Sequence, residues 1–325
     1  MKSTFRITAL FLAIALVLAC GESAAQSYPS RPIRFVVGSV PGGGTDVTAR
    51  LVGQKLGELL GQSVIVDNKP GGNGIIATEF VARSSPDGYT LMAGTGGSMV
   101  LAAGLYAKLP YDPVKDFIPI TRFNLDPLLF AVHPSFPASS FKELVALAKA
   151  KPGQLFYSSA APEFQVGAEL FNQMAGVKII HVGFKGASPS ITATVSGDVP
   201  VIVLSIPPLL PHIRAGKLRA LAIAGSARSS FMPEIPTVLE STGIDFEAST
   251  WAGLFAPAAT PTAVIDTLYG SLRVVLNSDF IKDRSAAQGR DARGMGMPPA
   301  EFAAIHKADV AKWTKALREL GIRAD

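Results

Sequence analysis

Cys20 is the only cysteine in the 325-residue chain. If the N-terminal segment is removed on export, the mature chain has no thiol, which excludes disulfides, cysteine nucleophiles and thiolate metal sites together. Histidine is scarce as well. His133, His181, His212 and His306 lie far apart, and none has a second ligand-type residue at metal-binding spacing. No metal is therefore expected, and each histidine reads as a surface or hydrogen-bonded residue. Charged residues make up 17% of the chain, with a net charge of +5 that falls slightly if Lys2, Arg6 and Glu22 are removed. The basic residues are scattered and lack interleaved aromatics, so no nucleic-acid partner is expected. Past the N-terminus no apolar run reaches the length of a membrane helix.

Catalytic signatures are missing too. Gly96-Gly-Ser-Met-Val100 lacks the closing glycine of a nucleophile elbow, and Gly42-Gly-Gly44 is followed by Thr45-Asp46 rather than the lysine of a P-loop. Asp112 with Asp116, and Asp279 with Asp283, read as solvated faces. A secreted hydrolase or isomerase using Asp46 or Glu163 as base would need a partner acid and an oriented nucleophile, and the sequence offers neither. The chain reads as a binder rather than an enzyme, with no cofactor.

What is present is a globular composition, 48% hydrophobic, in a length that suits two domains. Lys2 and Arg6 precede an uncharged apolar run from Ile7 to Ala19, with small residues at Ser23-Ala24-Ala25. This is the pattern of a secretory leader cleaved after Ala25, which places the mature chain in the periplasm. Val17-Leu18-Ala19-Cys20 also has the form of a lipoprotein site, so lipid anchoring at Cys20 stands as the alternative.

The organising stretch runs from Ile33 to Arg50: a buried strand, three glycines, then a helix carrying Val47, Leu51, Val52, Leu56, Leu59 and Leu60 at helical spacing. Thr45 and Asp46 occupy the expected N-cap. Uncapped N–H groups and the positive end of a helix favour an anion, and glycines let the backbone approach it closely. Strand and glycine loop recur at Ser63–Gly74 and at Tyr89–Ser98, while Tyr106–Ile120 reads as a surface wrap. From Leu128 to Ala224 strands and helices alternate again, with a capping box at Ser140-Phe-Lys-Glu143. Thr250–Ala256 reads as a strand returning to the first sheet. Two α/β units with crossing chains imply an interdomain cleft.

Seven motifs in order resemble one family: Tyr28-Pro-Ser-Arg-Pro-Ile-Arg34, Pro41-Gly-Gly-Gly-Thr-Asp46, Asp67-Asn-Lys-Pro-Gly71, Pro86-Asp-Gly-Tyr-Thr90, the segments Leu109–Phe117 and Pro211–Ala222, and Glu234-Ile-Pro-Thr-Val238. The resemblance is to Bug-type periplasmic receptors of tripartite tricarboxylate transporters. It implies an α/β, two-domain type II periplasmic binding protein (Venus flytrap) fold, with residues 26–126 plus 248–325 as domain 1 and 127–247 as domain 2. It implies closure, hinged near residues 125–127 and 246–250, on a small organic carboxylate delivered to a membrane permease; a sensor feeding a membrane signalling protein is the alternative. A monomer is expected, because dimerisation at the cleft edge would obstruct closure.

The same resemblance, carried over by position, assigns ligand contacts to Gly42, Gly43, Gly44, Thr45 and Asp46, to Thr95, Gly96, Gly97 and Ser98, and to Ser158, Ser159, Ala160, Lys185 and Gly186. Several positions depart from the family pattern. Gly38-Ser39-Val40 replaces the usual Pro-Phe-Pro, Pro162-Glu163-Phe164 replaces small polar residues, Gly183-Phe184 replaces Pro-Tyr, and Leu204-Ser205 replaces Asp-Asn. Ser39, Glu163, Phe164, Phe184 and Ser205 are thus candidate specificity residues. They suit a larger carboxylate, an aromatic acid or a dicarboxylate, with Phe164 and Phe184 either as walls or as core or hinge residues, and with Glu163 able to receive an ammonium group.

Overall fold

The computed structural model describes residues 28–290 and 293–324. The leader and the processing sites at Ala25 and Cys20 lie outside the described residues. The first sheet grows from strand β1 (Ile33–Val37), which pairs in parallel with β2 (Val64–Asn68) and β3 (Thr90–Thr95). β1 is buried at four of its five positions, as a central parallel strand covered on both faces must be. Helix α1 (Gly44–Leu60) connects β1 to β2, burying Ala49, Val52 and Leu56 at 3–4 residue spacing. Helix α2 (Ile75–Ala82) leads to β3, which runs into a π-turn, Gly97–Leu101, and short helix α3 (Ala102–Leu105).

The next strand, β4 (Phe117–Val132), serves both units. Its first part, up to Pro127, pairs antiparallel with β9 (Ser249–Pro257), which also pairs with β3; its last part pairs with β7 (Val201–Ser205) and β8 (Arg219–Ala224). The second sheet is completed by β5 (Leu155–Ser159), parallel to β7 and to β6 (Ile179–Gly183). Among the described residues two segments cross between the sheets, at Pro127–Leu128 and Ala248–Ser249. They are stapled to each other where the Leu128 N–H donates to the Ala248 carbonyl (2.9 Å).

Helices α4 (Phe141–Ala150), α5 (Pro162–Ala175), α6 (Ala187–Val195), α7 (Ile206–Arg214) and α8 (Val238–Thr242) dress the second sheet. Helices α9 (Thr262–Asn277), α10 (Asp279–Ala287) and α11 (Pro299–Leu320) return to the first. The helix that matters most for the cleft is α5. Its Phe171 packs with Phe130 and Phe141, ring centroids 4.9–5.2 Å apart, in the core of the second unit. Each such ring contributes about 1.5–3 kcal/mol by burial. Val166, on the same helix, is fully buried in a cluster with Met99, Trp251 and Phe302 of the first unit. α5 is therefore wedged between the two units, with its N-terminus at the cleft.

Two expectations need correction. Tyr106–Ile120 is not all surface wrap: Tyr111 is buried, its hydroxyl donating to the Ser98 carbonyl at 2.6 Å, and β4 begins at Phe117. Asp112 and Asp116 cap the turn between them, accepting the N–H groups of Val114 and Asp112. The N-cap of α1 is Gly43, so Thr45 and Asp46 lie in the first turn. Among the described residues no helix is long and apolar enough to cross a membrane.

Candidate functional site

Three glycine turns converge at the carboxyl ends of β1, β2 and β3. Gly38 and Gly74 meet so closely that a Cβ on Gly38 would stand 2.6 Å from the Gly74 Cα, and Gly74 in turn abuts the Ser98 side chain. Only glycine permits that approach. α1 starts from this knot without a side-chain cap. The Val47 N–H bonds back to the Gly43 carbonyl (2.9 Å), while the N–H groups of Gly44, Thr45 and Asp46 precede the first intrahelical bonds and are available to an outside acceptor.

Asp46, expected to touch ligand, is instead spent inside the loop. It is 2% exposed and accepts from the Gly42 N–H (2.8 Å), Asn68 Nδ2 (2.9 Å) and Arg50 (2.9 and 3.1 Å). Burial raises the pKa of this carboxyl, but the Arg50, Gly42 and Asn68 hydrogen bonds outweigh it and hold the group below the usual aspartate range. Asn68 also donates to the Ser39 carbonyl (3.0 Å), so one carboxylate fixes both limbs of the first turn. The Ser39 hydroxyl itself is buried with no partner.

A cavity of about 210 Å³ opens below these turns. From the first unit Ser39, Thr45, Asn73, Thr95, Gly97, Ser98 and Tyr106 line it; from the second, Ala161, Pro162 and Glu163 at the start of α5. Asn73 and Tyr106 were absent from the sequence expectation. Asn73 lies in the second glycine turn, in left-handed backbone (φ 52°), and donates to the Tyr106 hydroxyl at 2.8 Å. The glycine-rich context of Asn73 was a usable signal, while Tyr106, in the supposed surface wrap, carried none.

The remaining second-unit candidates do not reach this cavity. Ser158 is fully buried, its hydroxyl bonded to Thr194 (2.9 Å) and Ser190 (3.0 Å), and the Ser159 hydroxyl is bonded to His181 Nε2 (2.8 Å). Burial holds the His181 pKa below the ordinary histidine value. Phe164, expected as a pocket wall, is a core residue at 9% exposure. Phe184 is half-buried, its N–H donating to the Ser159 carbonyl. Lys185 is exposed, Gly186 precedes α6, Ser205 is buried at the start of α7, and Ala160 packs partly against the second core. Gly42, Gly43, Gly44 and Gly96 flank the cavity without lining it.

A larger cavity of about 300 Å³ lies behind the cleft at the chain crossings, where Leu125, Pro127, Ala248 and Trp251 meet α11. It holds buried Arg122, whose Nε donates to the Gly294 carbonyl (3.1 Å), and Asp309. Desolvation lowers the Arg122 pKa and raises that of Asp309. Of the three glycine turns it takes in only Gly96 of the third, and Glu163 separates it from the smaller cavity by lining both. Nearby, Asp126 and Arg290 form a buried ion pair (3.1 Å), and Arg290 also donates to Thr48 of α1 (3.2 Å). This ties the first turn's helix to the crossing. Among the described residues no group of three metal-ligating side chains occurs.

Residues 48–322 match the family described as "Tripartite tricarboxylate transporter family receptor". The chain belongs to that family. Protein BugT of Bordetella pertussis is 33% identical over 327 residues, covering 99% of each chain. A solved structure described as a periplasmic transporter superposes with a TM-score of 0.80 at 36% identity, covering 92% of this chain and all of that one. An R. palustris protein solved with adipate gives a TM-score of 0.80 at 32% identity, covering 91% of this chain and 99% of its own. MatC from Rhodopseudomonas palustris, solved with malate, gives 0.77 at 29% identity, covering 89% of this chain and all of its own. The two-domain binding-protein fold and the solute-receptor class, not an enzyme class, follow from this membership.

Proposed function

We propose that the chain is a periplasmic receptor that closes its two units on a small organic carboxylate and presents it to a membrane permease of the tripartite tricarboxylate type. The observation that carries this reading is the 210 Å³ cavity bounded by glycine turns of one unit and the α5 start of the other. A ligand there touches both units only when they are together, so its binding energy favours the closed state. Residues 26–126 plus 248–325 move against 127–247, with the hinge at the two paired crossings. The relatives solved with adipate and malate support a carboxylate as the ligand class. Without Phe164 as a wall, an aromatic acid loses its main support, and small aliphatic acids suit the volume better. Export by the N-terminal leader and a monomeric state complete the reading.

The test is a thermal-shift screen of the mature protein against dicarboxylates, tricarboxylates, amino acids and aromatic acids. A ligand at about 100 to 1,000 times its dissociation constant stabilises by roughly 2.7–4.1 kcal/mol and raises Tm accordingly. The reading fails if no carboxylate shifts Tm.

A further inference from the structure

Glu163 is the only charged side chain among the described residues that line the cleft cavity; no lysine, arginine or histidine faces it. Its position is fixed by construction. Pro162 starts α5, Glu163 follows, and the helix is anchored on one side by Phe171 and on the other by Val166. The carboxylate lies against the opposite unit, with Oε2 only 3.5 Å from where a Cβ on Gly97 would stand. No side chain donates to it; its one hydrogen-bond donor is its own backbone N–H.

Glu163 is half-buried and its carboxylate has no side-chain partner, so it makes the cleft cavity electronegative and complementary to a cationic group on the ligand. In a cavity without a cationic side chain, a dicarboxylate would add two more negative charges around it. A ligand that carries an ammonium group beside its carboxylate satisfies both ends: its carboxylate meets the N–H groups of α1's first turn, and its ammonium meets Glu163.

We propose that the ligand is an amino acid or a comparable ammonium-bearing carboxylate, and that Glu163 selects it by accepting the ammonium group across the cleft. This rests on the receptor reading above and narrows it. Because the partners sit on opposite units, the ion pair forms as the units close, so Glu163 is also the residue that couples ligand charge to closure.

Titratable groups face Glu163 from both cavities it lines, Tyr106 being the one in the cleft cavity among the described residues. Arg122 on β4, Glu247 ahead of β9, Arg293, and Asp309 and Lys312 on α11 share the hinge cavity with it. His181 on β6 is bonded to Ser159, and the Gly97–Leu101 turn carries no titratable side chain. Burial raises the Glu163 pKa, so ammonium binding, which needs the ionised form, strengthens as pH rises through that raised value.

The experiment compares matched pairs by calorimetry on the mature protein and on Glu163→Gln: aspartate with succinate, glutamate with glutarate, and alanine with propionate. The expected result is at least one pair in which the amino acid binds tenfold or more tighter than its deaminated partner, tightens from pH 5 to pH 8, and loses that advantage in Glu163→Gln. A deaminated acid that binds as well as or better than its amino partner, with affinity unchanged in Glu163→Gln, overturns the inference and leaves the receptor reading standing. The amide mimics a protonated carboxyl, so that outcome makes Glu163 a neutral donor. Absence of binding by any carboxylate in either protein overturns the receptor reading, and the inference with it. Circular dichroism and Tm of Glu163→Gln separate misfolding from lost recognition.

Discussion

Replacing Asp46 by alanine distinguishes a ligand contact from a structural one. Its carboxylate receives hydrogen bonds from the Gly42 N–H, Asn68 and Arg50 while 2% exposed. The Arg50 side chain is 51% exposed, so that pair is worth about 0.5 kcal/mol after solvent screening. The Gly42 and Asn68 bonds to a buried charge are worth roughly 1.5–3 kcal/mol each. Part of this is recovered, because Gly42 is at the surface and can be rehydrated, and Asn68 keeps the Ser39 carbonyl. The net cost of Asp46→Ala is therefore about 2–3 kcal/mol, or roughly 5–10 °C in the Tm of the first unit. The pH dependence has a definite sign. A carboxyl held below its ordinary value of 3.8 stabilises the fold above that pH, and the contribution is lost as pH falls through the folded value. The deficit of the variant is thus complete at pH 7 and shrinks as pH falls below 3.8. Differential scanning calorimetry between pH 3 and pH 7 reads it directly. A variant with unaltered Tm at pH 7 but no ligand binding would refute the reasoning, for Asp46 would then be a ligand contact.

Two further substitutions probe the walls. Gly97→Ala places a methyl 3.4 Å from Thr95 Oγ1 and 3.5 Å from Glu163, ordinary contact distances, so it should leave Tm within about 1 °C while lowering the affinity of the best ligand roughly tenfold by crowding the cavity. Phe164→Leu should cost about 1 kcal/mol in a denaturant titration and change ligand affinity less than twofold, since the ring packs in the core; a large affinity loss at unchanged stability would restore Phe164 as a pocket wall.

Alternating strands, glycine turns and helices made the α/β class legible, because each signal is local: β-branched runs for β1 and β2, an apolar stripe for α1. Elements whose form depends on remote partners were not legible. β4 reads as a wrap followed by a short strand, yet pairing with β9 on one half and with β7 and β8 on the other makes it continuous. α7 was missed because it carries three prolines: Pro207 and Pro208 sit in the first turn, where a missing N–H costs nothing, but Pro211 lies inside the helix and reads in sequence as a breaker. In the site, residue type and position along the chain pointed to the glycine turns but could not say which polar groups were already satisfied. Ser158 and Ser159 look available in sequence; only the fold shows Thr194, Ser190 and His181 occupying their hydroxyls. Asn73 and Tyr106 were missed for the opposite reason, since their approach to the cavity follows from the packing of the second turn.

The most direct test of the central claim is a crystal structure of the mature protein with the acid that most raises Tm. The account predicts electron density for that acid between Thr45, Thr95 and Gly97 of one unit and Glu163 of the other, with its carboxylate on the first turn of α1 and the units closed around it. Density confined to the hinge cavity beside Arg122 and Trp251, with the glycine turns empty, would contradict it.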